Sequence, residues 1–231
     1  PRIHTRTCIK RHCDSSKICA EVKVIHDIFP TKIYVKDYGM TNEWTEEVKS
    51  IVKTIFAMEE AKGRSFNDIA ENNIPLFTPE NEILYPVLTE LKSYFVDGFT
   101  ELAASNFTEE PLPFSIDREF IQKRISQEPG KLPFMRNGNY KTVHNHVGDM
   151  AFGIFYLDDV DNATQGGELQ LRDPSFNSNI GFTGYDKYAI ATKRNRLVIA
   201  PAHVWHEVTQ YNGVERTAVV INLNLVYNDV T

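Results

Sequence analysis

The sequence has little cysteine, no long apolar run and no excess of positive charge. Its three cysteines, Cys8, Cys13 and Cys19, all lie within the first twenty of 231 residues. No stretch approaches the roughly 20 apolar residues that a membrane-spanning helix needs. The net charge is -6, whereas proteins that bind nucleic acid through its phosphates carry basic residues in excess. These absences argue against a disulfide scaffold, a membrane protein and a nucleic-acid partner.

What the chain does have is the composition of an ordinary globular protein. Hydrophobic residues make up 42% and charged residues 24%, close to the usual values for a folded domain. A chain of this length buries a sizeable core without cross-links. We therefore expect one domain over 21–231, with helical support over 21–110 and a strand-rich core over 111–231, preceded by a basic segment over 1–20.

The cysteines of the amino-terminal segment do not predict a zinc site. Four residues separate Cys8 from Cys13 and five separate Cys13 from Cys19, spacings that match no common zinc knuckle even with His4 or His12 as a further ligand. Free thiols in a reducing compartment are the preferred interpretation. The segment also lacks the apolar stretch of a secretory signal, so we expect a cytoplasmic protein.

The first half of the chain has helical periodicity. Apolar residues recur every three or four positions and predict a helix that begins after a cap at Thr41 or Asn42 and ends near Gly63. A second helix is predicted from Pro79 to about Leu102 by a similar stripe. Both stripes are typical of helices that pack on a core.

The second half of the chain has the alternation of short strands separated by proline, glycine and asparagine. The predicted strands are one or two over 22–38, and then 120–126, 140–146, 150–157, 168–171, 189–191, 196–200 and 216–225. Helices first and strands after predict an α+β fold in which the helices pack against one outer face of a sandwich or barrel.

Three histidines and an aspartate lie at predicted strand ends. His144 and His146 project to the same side of an extended strand, and the turn at Val147 and Gly148 brings Asp149 back toward His146. His206 follows about 60 residues later. Two imidazoles and a carboxylate are the donors of the facial triad that leaves three positions open on Fe(II). Because zinc also accepts imidazole, the residues alone predict a metal site without fixing the metal.

Arg216 opens the last predicted strand, ten residues after His206. A guanidinium is planar, always charged and suited to holding a carboxylate through two hydrogen bonds. Taken alone, a solvent-exposed arginine at a strand edge is the commoner case. The position of Arg216 after the histidines is what makes a role inside the barrel worth testing.

In this order, these residues resemble the 2-oxoglutarate and Fe(II)-dependent dioxygenases, in the prolyl-hydroxylase-like branch and its phage-type relatives. The similarity covers roughly 120–225. It depends on Arg216 and on five segments in register: 144–149, 150–158, the Gly-Gly-Glu-Leu turn over 166–169, 196–201 and 206–208. Several matches in one order are far more specific than any one of them.

The resemblance implies a double-stranded β-helix, the jelly roll that cupins share. It also implies an enzyme that binds Fe(II), 2-oxoglutarate and O2, hydroxylates a substrate and releases succinate and CO2. Arg216 and Tyr156 are the candidates to hold the far carboxylate of 2-oxoglutarate. The substrate, a prolyl peptide or a small molecule, and the oligomeric state are left open. A phage-type protein would act in the host cytoplasm.

The chain departs from the family at the first metal motif, which is usually His-any-Asp. Here the residue two after His144 is His146, and the residue two after His146 is Gly148. Three ligand sets are open: His144, His146 and His206, or Asp149 and His206 with either His146 or His144. We favour Asp149 as a ligand because an anionic donor helps to hold Fe(II).

Two other functions fit the same residues. A cupin-like metal enzyme would use His144, His146 and His206 without 2-oxoglutarate, and a jelly-roll binding module would need none of them. Arg216 separates the 2-oxoglutarate enzyme from the cupin-like enzyme, because only the former needs this residue to bind its co-substrate. Uptake of a metal separates both of these enzymes from a binding module.

Overall fold

The structure is a computed structural model that describes residues 31–63, 76–106, 114–125, 140–172 and 187–225. Cys8, Cys13 and Cys19 lie outside these ranges, so the expectations for their thiols remain predictions, as do the domain boundaries at 20 and 110. Within the described ranges, no helix is both long enough and apolar enough to cross a membrane.

Four helices occur in the described chain: α1 Asn42–Ala61, α2 Pro79–Leu84, α3 Pro86–Asn106 and α4 Asn162–Gln165. The predicted cap of α1 is confirmed, because the Thr41 hydroxyl accepts a hydrogen bond from the Trp44 N–H at 3.2 Å. Thr78 caps α2 in the same way through the Asn81 N–H, at 3.1 Å.

The prediction of one continuous second helix is wrong, because the chain breaks between α2 and α3. Tyr85 leaves the helical region, with φ -131° and ψ 82°. The ring of a proline pushes the residue before it out of the α region. Pro86 is well suited to the first position of the next helix, because an N–H at that position would have no acceptor within the helix. The short α4 carries no apolar stripe and was not predicted.

The described residues include nine strands, which form two sheets in which every pairing is antiparallel. The five-stranded sheet has the order β1-β7-β4-β9-β2, and the four-stranded sheet has the order β3-β8-β5-β6. The strands are β1 Tyr34–Asp37, β2 Phe114–Ile125, β3 Lys141–His144, β4 Ala151–Tyr156, β5 Leu169–Arg172, β6 Lys187–Ile190, β7 Arg196–Pro201, β8 His206–Val208 and β9 Glu215–Leu225. The predicted mixture of helices and sheets is confirmed, and β8 is an additional strand of three residues.

Alternate residues of the large sheet belong to two different cores. On β4, Phe155 packs with α1 and α3, whereas Phe152, Ile154 and Tyr156 belong to a second cluster with residues of β5, β6 and β8. Strands β7 and β9 divide in the same way. The period of two along a strand therefore separates a helix-facing core from an interior between the two sheets.

Gly153 lets α3 approach the large sheet closely. A Cβ atom at this position would lie 2.8 Å from a ring carbon of Phe95, which is fully buried on α3. Only glycine fits this contact. Helix α3 therefore packs on one face of the large sheet, and the other face lines the interior between the two sheets.

Candidate metal centre

Three histidines converge in the interior between the sheets. Strand β3 ends at His144, which pairs with His206 at the start of β8 after a bulge in β3. His146 lies just beyond β3, where its N–H donates to the Ala202 carbonyl at 3.0 Å. One ligand atom from each histidine lies within 4.8 Å of the others. The structure thus brings together three of the four residues predicted for the metal site.

The ring nitrogens of two histidines are oriented by backbone carbonyls. His144 Nδ1 lies 2.7 Å from the Thr142 oxygen, and His206 Nδ1 lies 3.0 Å from the Val204 oxygen. A carbonyl oxygen only accepts, so each Nδ1 carries the proton and each Nε2 presents a lone pair. This second hydrogen bond is the one that fixes the tautomer of a metal-binding histidine.

His144 and His206 are also held in the neutral form that binds metals. Burial and, to a smaller extent, the neighbouring His144 lower the pKa of His206 to about 3. Burial lowers the pKa of His144 as well. Both rings are therefore unprotonated on one nitrogen at neutral pH. The Nε2 atoms of His146 and His206 face each other at 3.3 Å.

Phe152 of β4 forms an apolar wall against these rings. Its ring stacks on His206 with centroids 3.9 Å apart and on His146 with centroids 5.0 Å apart. Because Phe152 is fully buried, it limits the rotation of both imidazoles and keeps water from one side of the cluster.

Asp149 lies beside the histidine cluster and outside it. Its Oδ2 atom is 4.0 Å from His146 Nδ1, on the side of the ring away from the Nε2 that faces His206. The same oxygen accepts a hydrogen bond of 2.7 Å from Asn222 on β9. The structure therefore does not bring the carboxylate, which the sequence favoured as a ligand, into the group of converging donors.

Arg216 is fully inside the protein, at the start of β9. Only 2% of it is exposed, and its guanidinium donates to the Gly167 carbonyl and, at 3.3 Å, to the Thr192 hydroxyl. Among the residues that the structure describes, no carboxylate pairs with Arg216, and its Nε has no hydrogen-bond partner. Burial lowers the pKa of this guanidinium. A buried cation without an anion is costly, so this position suits an anionic ligand.

Tyr156, the other residue predicted to hold a co-substrate, lies beside Arg216. It is fully buried at the end of β4, opposite Ala218 of β9. The Arg216 Cζ atom is 5.5 Å from the centroid of the Tyr156 ring, within the range of a cation–π contact. The two residues predicted to hold a co-substrate are therefore neighbours in the same interior as the histidines.

The Gly-Gly turn before β5 shapes the space around Arg216. Gly166 and Gly167 have φ values of +66° and +77°, which favour glycine. A Cβ atom on Gly167 would lie 3.3 Å from an Arg216 nitrogen, and one on Gly166 would lie 2.0 Å from the Gln210 oxygen. The glycines predicted as a family motif thus let the backbone approach the guanidinium.

Sequence reasoning missed two polar residues of this interior. Asn222 holds Asp149, and Thr192 accepts a hydrogen bond from Arg216. The period of two along β9 could have found Asn222, because it lies six residues after Arg216 and so on the same face. Thr192 follows β6 in a loop, and no local pattern indicates it.

Comparison with known proteins finds the relationship in structure and not in sequence. No protein-family model and no curated protein matches the chain. A prolyl hydroxylase from Trichoplax adhaerens, in complex with a hypoxia inducible factor oxygen degradation domain peptide fragment, matches with a TM-score of 0.56 at 14% identity over 83% of each chain.

Two Streptomyces proteins match as well. HygX from Streptomyces hygroscopicus, with nickel and 2-oxoglutarate bound, has a TM-score of 0.51 at 8% identity and covers 85% of this chain and 83% of its own. AviO1 from Streptomyces viridochromogenes Tue57 has a TM-score of 0.51 at 14% identity and covers 84% and 90%. The predicted resemblance is thus confirmed at the level of the fold, which this chain shares with a prolyl hydroxylase and with a protein that binds a metal and 2-oxoglutarate.

Proposed function

We propose that this protein is an Fe(II)- and 2-oxoglutarate-dependent oxygenase that hydroxylates a peptide or small-molecule substrate. The observation that carries the proposal is a histidine cluster together with the buried Arg216, which pairs with no carboxylate among the described residues. Each feature has the chemistry that one of the two ligands requires. The shared fold supports the proposal, since HygX holds nickel and 2-oxoglutarate on the same fold. The architecture proposed for the two sheets is the double-stranded β-helix.

The ligands that we propose for the metal are His144, His146 and His206. Imidazole suits Fe(II), and three donors on one side leave positions for a co-substrate and O2. The oriented Nε2 atoms of His144 and His206 are prepared for this role, because their protons are already committed to backbone carbonyls. The arrangement favours this set over the two that include Asp149, whose carboxylate lies behind His146.

The residues that we propose for the co-substrate are Arg216 and Tyr156. In the low-dielectric interior a guanidinium pairs strongly with a carboxylate, and the Arg216 Nε is a donor that none of the described residues uses. Tyr156 packs against the guanidinium and restricts its position. Together they would fix one end of 2-oxoglutarate, so that the other end meets the histidine cluster.

Bound Fe(II) and 2-oxoglutarate would supply the oxidation of a C–H bond by O2, with release of succinate and CO2. The chain supplies orientation and exclusion of water. Phe152 closes one side of the cluster, and the apolar residues Ile154, Val198 and Val220 line the interior between the sheets. An apolar lining of this kind favours reaction at the bound substrate over side reactions with water.

Anaerobic titration of the protein with Fe(II) and 2-oxoglutarate tests this proposal. We expect a visible charge-transfer band that saturates at one metal and one 2-oxoglutarate per chain. The His206→Ala variant should give no band, because one of three ligands is missing. A cupin-like enzyme would bind metal without the band, and a binding module would bind no metal, so either result contradicts the proposal.

A further inference from the structure

The Asp149 carboxylate and the Asn222 amide lie on the Nδ1 side of His146, and neither belongs to the proposed ligand set. The side chain of Asp149 is 3% exposed and Asn222 is 3% exposed. Asn222 Nδ2 donates to Asp149 Oδ2 at 2.7 Å, and this oxygen lies 4.0 Å from His146 Nδ1. The three side chains therefore form a line from β9 to the histidine cluster.

The line is held in place by the fold at both ends. Asn222 lies opposite Phe152 in the pairing of β4 with β9, and the Phe152 ring stacks on His146. The turn that carries Asp149 is fixed by its own N–H, which donates to the His146 carbonyl at 3.2 Å. Burying a carboxylate is costly unless polar or positive groups surround it. A buried Asp149 beside an imidazole therefore indicates a specific use.

The other two histidines show what that use is. His144 and His206 each donate a hydrogen bond from Nδ1 to a backbone carbonyl, whereas the Asp149 carboxylate lies 4.0 Å from His146 Nδ1. An imidazole that binds a metal through Nε2 must keep its proton on Nδ1, and a carboxylate at that position raises its basicity as a ligand. Hydrogen bonds at functional sites are often long without a bound ligand, so we expect the 4.0 Å contact to shorten when a metal binds to His146.

We infer that Asp149 and Asn222 are positioning residues: Asp149 orients His146 and keeps its proton on Nδ1, and Asn222 holds Asp149 for that task. The inference rests on the metal centre of the proposed function. It also assigns the negative charge that a three-histidine centre lacks. Asp149 supplies this charge next to His146, and its carboxylate does not occupy a coordination position on the metal.

Binding of Co(II) to the full chain tests the inference without any turnover. The visible ligand-field bands of Co(II) report both affinity and the identity of the ligands. We expect Asp149→Asn to bind one Co(II) per chain with an unchanged band pattern and about 10- to 100-fold weaker affinity, the usual effect of removing such a partner. Asn222→Ala should weaken binding in the same direction by a smaller factor.

Asp158→Asn is the matched control. Asp158 is also a buried carboxylate, but it pairs with Lys49 and with the Thr217 N–H. This variant should change stability and leave Co(II) affinity unchanged. If Asp149→Asn does not fold, Asn222→Ala decides, since it leaves the carboxylate in place.

Three results would overturn the inference. Co(II) affinities within twofold of the wild type in both variants would show that the line does not act on His146. Loss of binding, or a changed band pattern, in Asp149→Asn would make Asp149 a ligand. Failure of the wild type to bind Co(II) would remove the proposed function together with the inference, whereas Co(II) binding without a 2-oxoglutarate band would remove only the proposed function.

Discussion

The two faces of the large sheet are built from the same strands and do different work. On the helix-facing side, Phe155 and its neighbours pack against α1 and α3, and the buried residues there are mainly apolar. On the side between the sheets, Arg216 and Asn222 of β9 are buried among apolar residues, as is His206 of the four-stranded sheet. Both faces therefore contribute a packed apolar core, but only the face between the sheets also buries these polar groups, whose desolvation costs stability unless they are paired.

The sharpest test of this comparison uses two phenylalanines of β4. Phe152 and Phe155 are both fully buried, and they point to opposite faces. Because each fills a packed core, replacing either with alanine should lower the free energy of unfolding by about 3–5 kcal/mol. Urea unfolding measures this loss, and the two variants should be similar in stability.

Leucine at the same two positions separates the faces by their effect on the metal. Phe152→Leu removes the ring that stacks on His206 and His146, so Co(II) affinity should fall severalfold. Phe155→Leu should leave that affinity unchanged, because its aromatic contacts are with Tyr38, Trp44, Tyr94 and Phe95. Equal Co(II) affinities in the two leucine variants would contradict the assignment of the metal centre to the face that carries Phe152.

Arg216→Met should separate stability from co-substrate binding. Replacing a buried cation that has no carboxylate partner among the described residues with an apolar side chain removes a desolvation cost, so unfolding should be no easier than in the wild type. Affinity for 2-oxoglutarate should fall about tenfold to a hundredfold, which corresponds to the roughly 1.5–3 kcal/mol of a charged hydrogen bond. Calorimetric titration of the metal-loaded protein measures the affinity.

Arg196→Met is the control for that change. Arg196 pairs with Asp37 at the edge of the same sheet, with Nε 2.6 Å from Oδ1. Its loss should lower stability slightly and leave 2-oxoglutarate binding intact. If both variants lose 2-oxoglutarate binding, or neither does, Arg216 is not the carboxylate partner.

The smallest effect concerns Asp37, outside both cores. Its hydrogen bond from Arg196, together with Lys193, lowers its pKa from 3.8 to about 2. A depressed pKa stabilises the folded state above the unfolded value, so the contribution is present at neutral pH and is lost between about pH 4 and pH 2. The side chain is 38% exposed, and solvent screening keeps the effect below about 1 kcal/mol.

Comparison of the wild type with Asp37→Asn measures this contribution. The difference between their free energies of unfolding should shrink as the pH falls from 5 to 3 in a urea series. A difference that stays constant over that range would show that the ion pair does not contribute through the charge of Asp37.

The sequence predicted most elements because their signals are local. Thr41 and the stripe that follows it predict α1, and alternation predicts β4, β7 and β9. Arg216 and Tyr156 were found through a resemblance in which order and spacing are preserved. In physical terms, such features depend on residues close together in the chain or on a motif.

What the sequence could not supply depends on contacts between distant segments. The direction of the Asp149 side chain follows from Asn222, 73 residues away. The pairing of His144 with His206 depends on a bulge that no local pattern indicates. The break at Tyr85 is different, since Pro86 gave a local signal that the apolar stripe outweighed.

Oxygen labelling tests the central claim most directly. In an oxidative decarboxylation, one atom of O2 enters the succinate carboxylate and the other is left for the substrate. The assay holds Fe(II), 2-oxoglutarate, O2 labelled with heavy oxygen, and ascorbate as the two-electron reductant that converts the second oxygen atom to water when no substrate is present. The wild type should release CO2 and succinate that carries one labelled oxygen, and His206→Ala should release neither. Unconverted 2-oxoglutarate, or succinate without the label, would contradict the account.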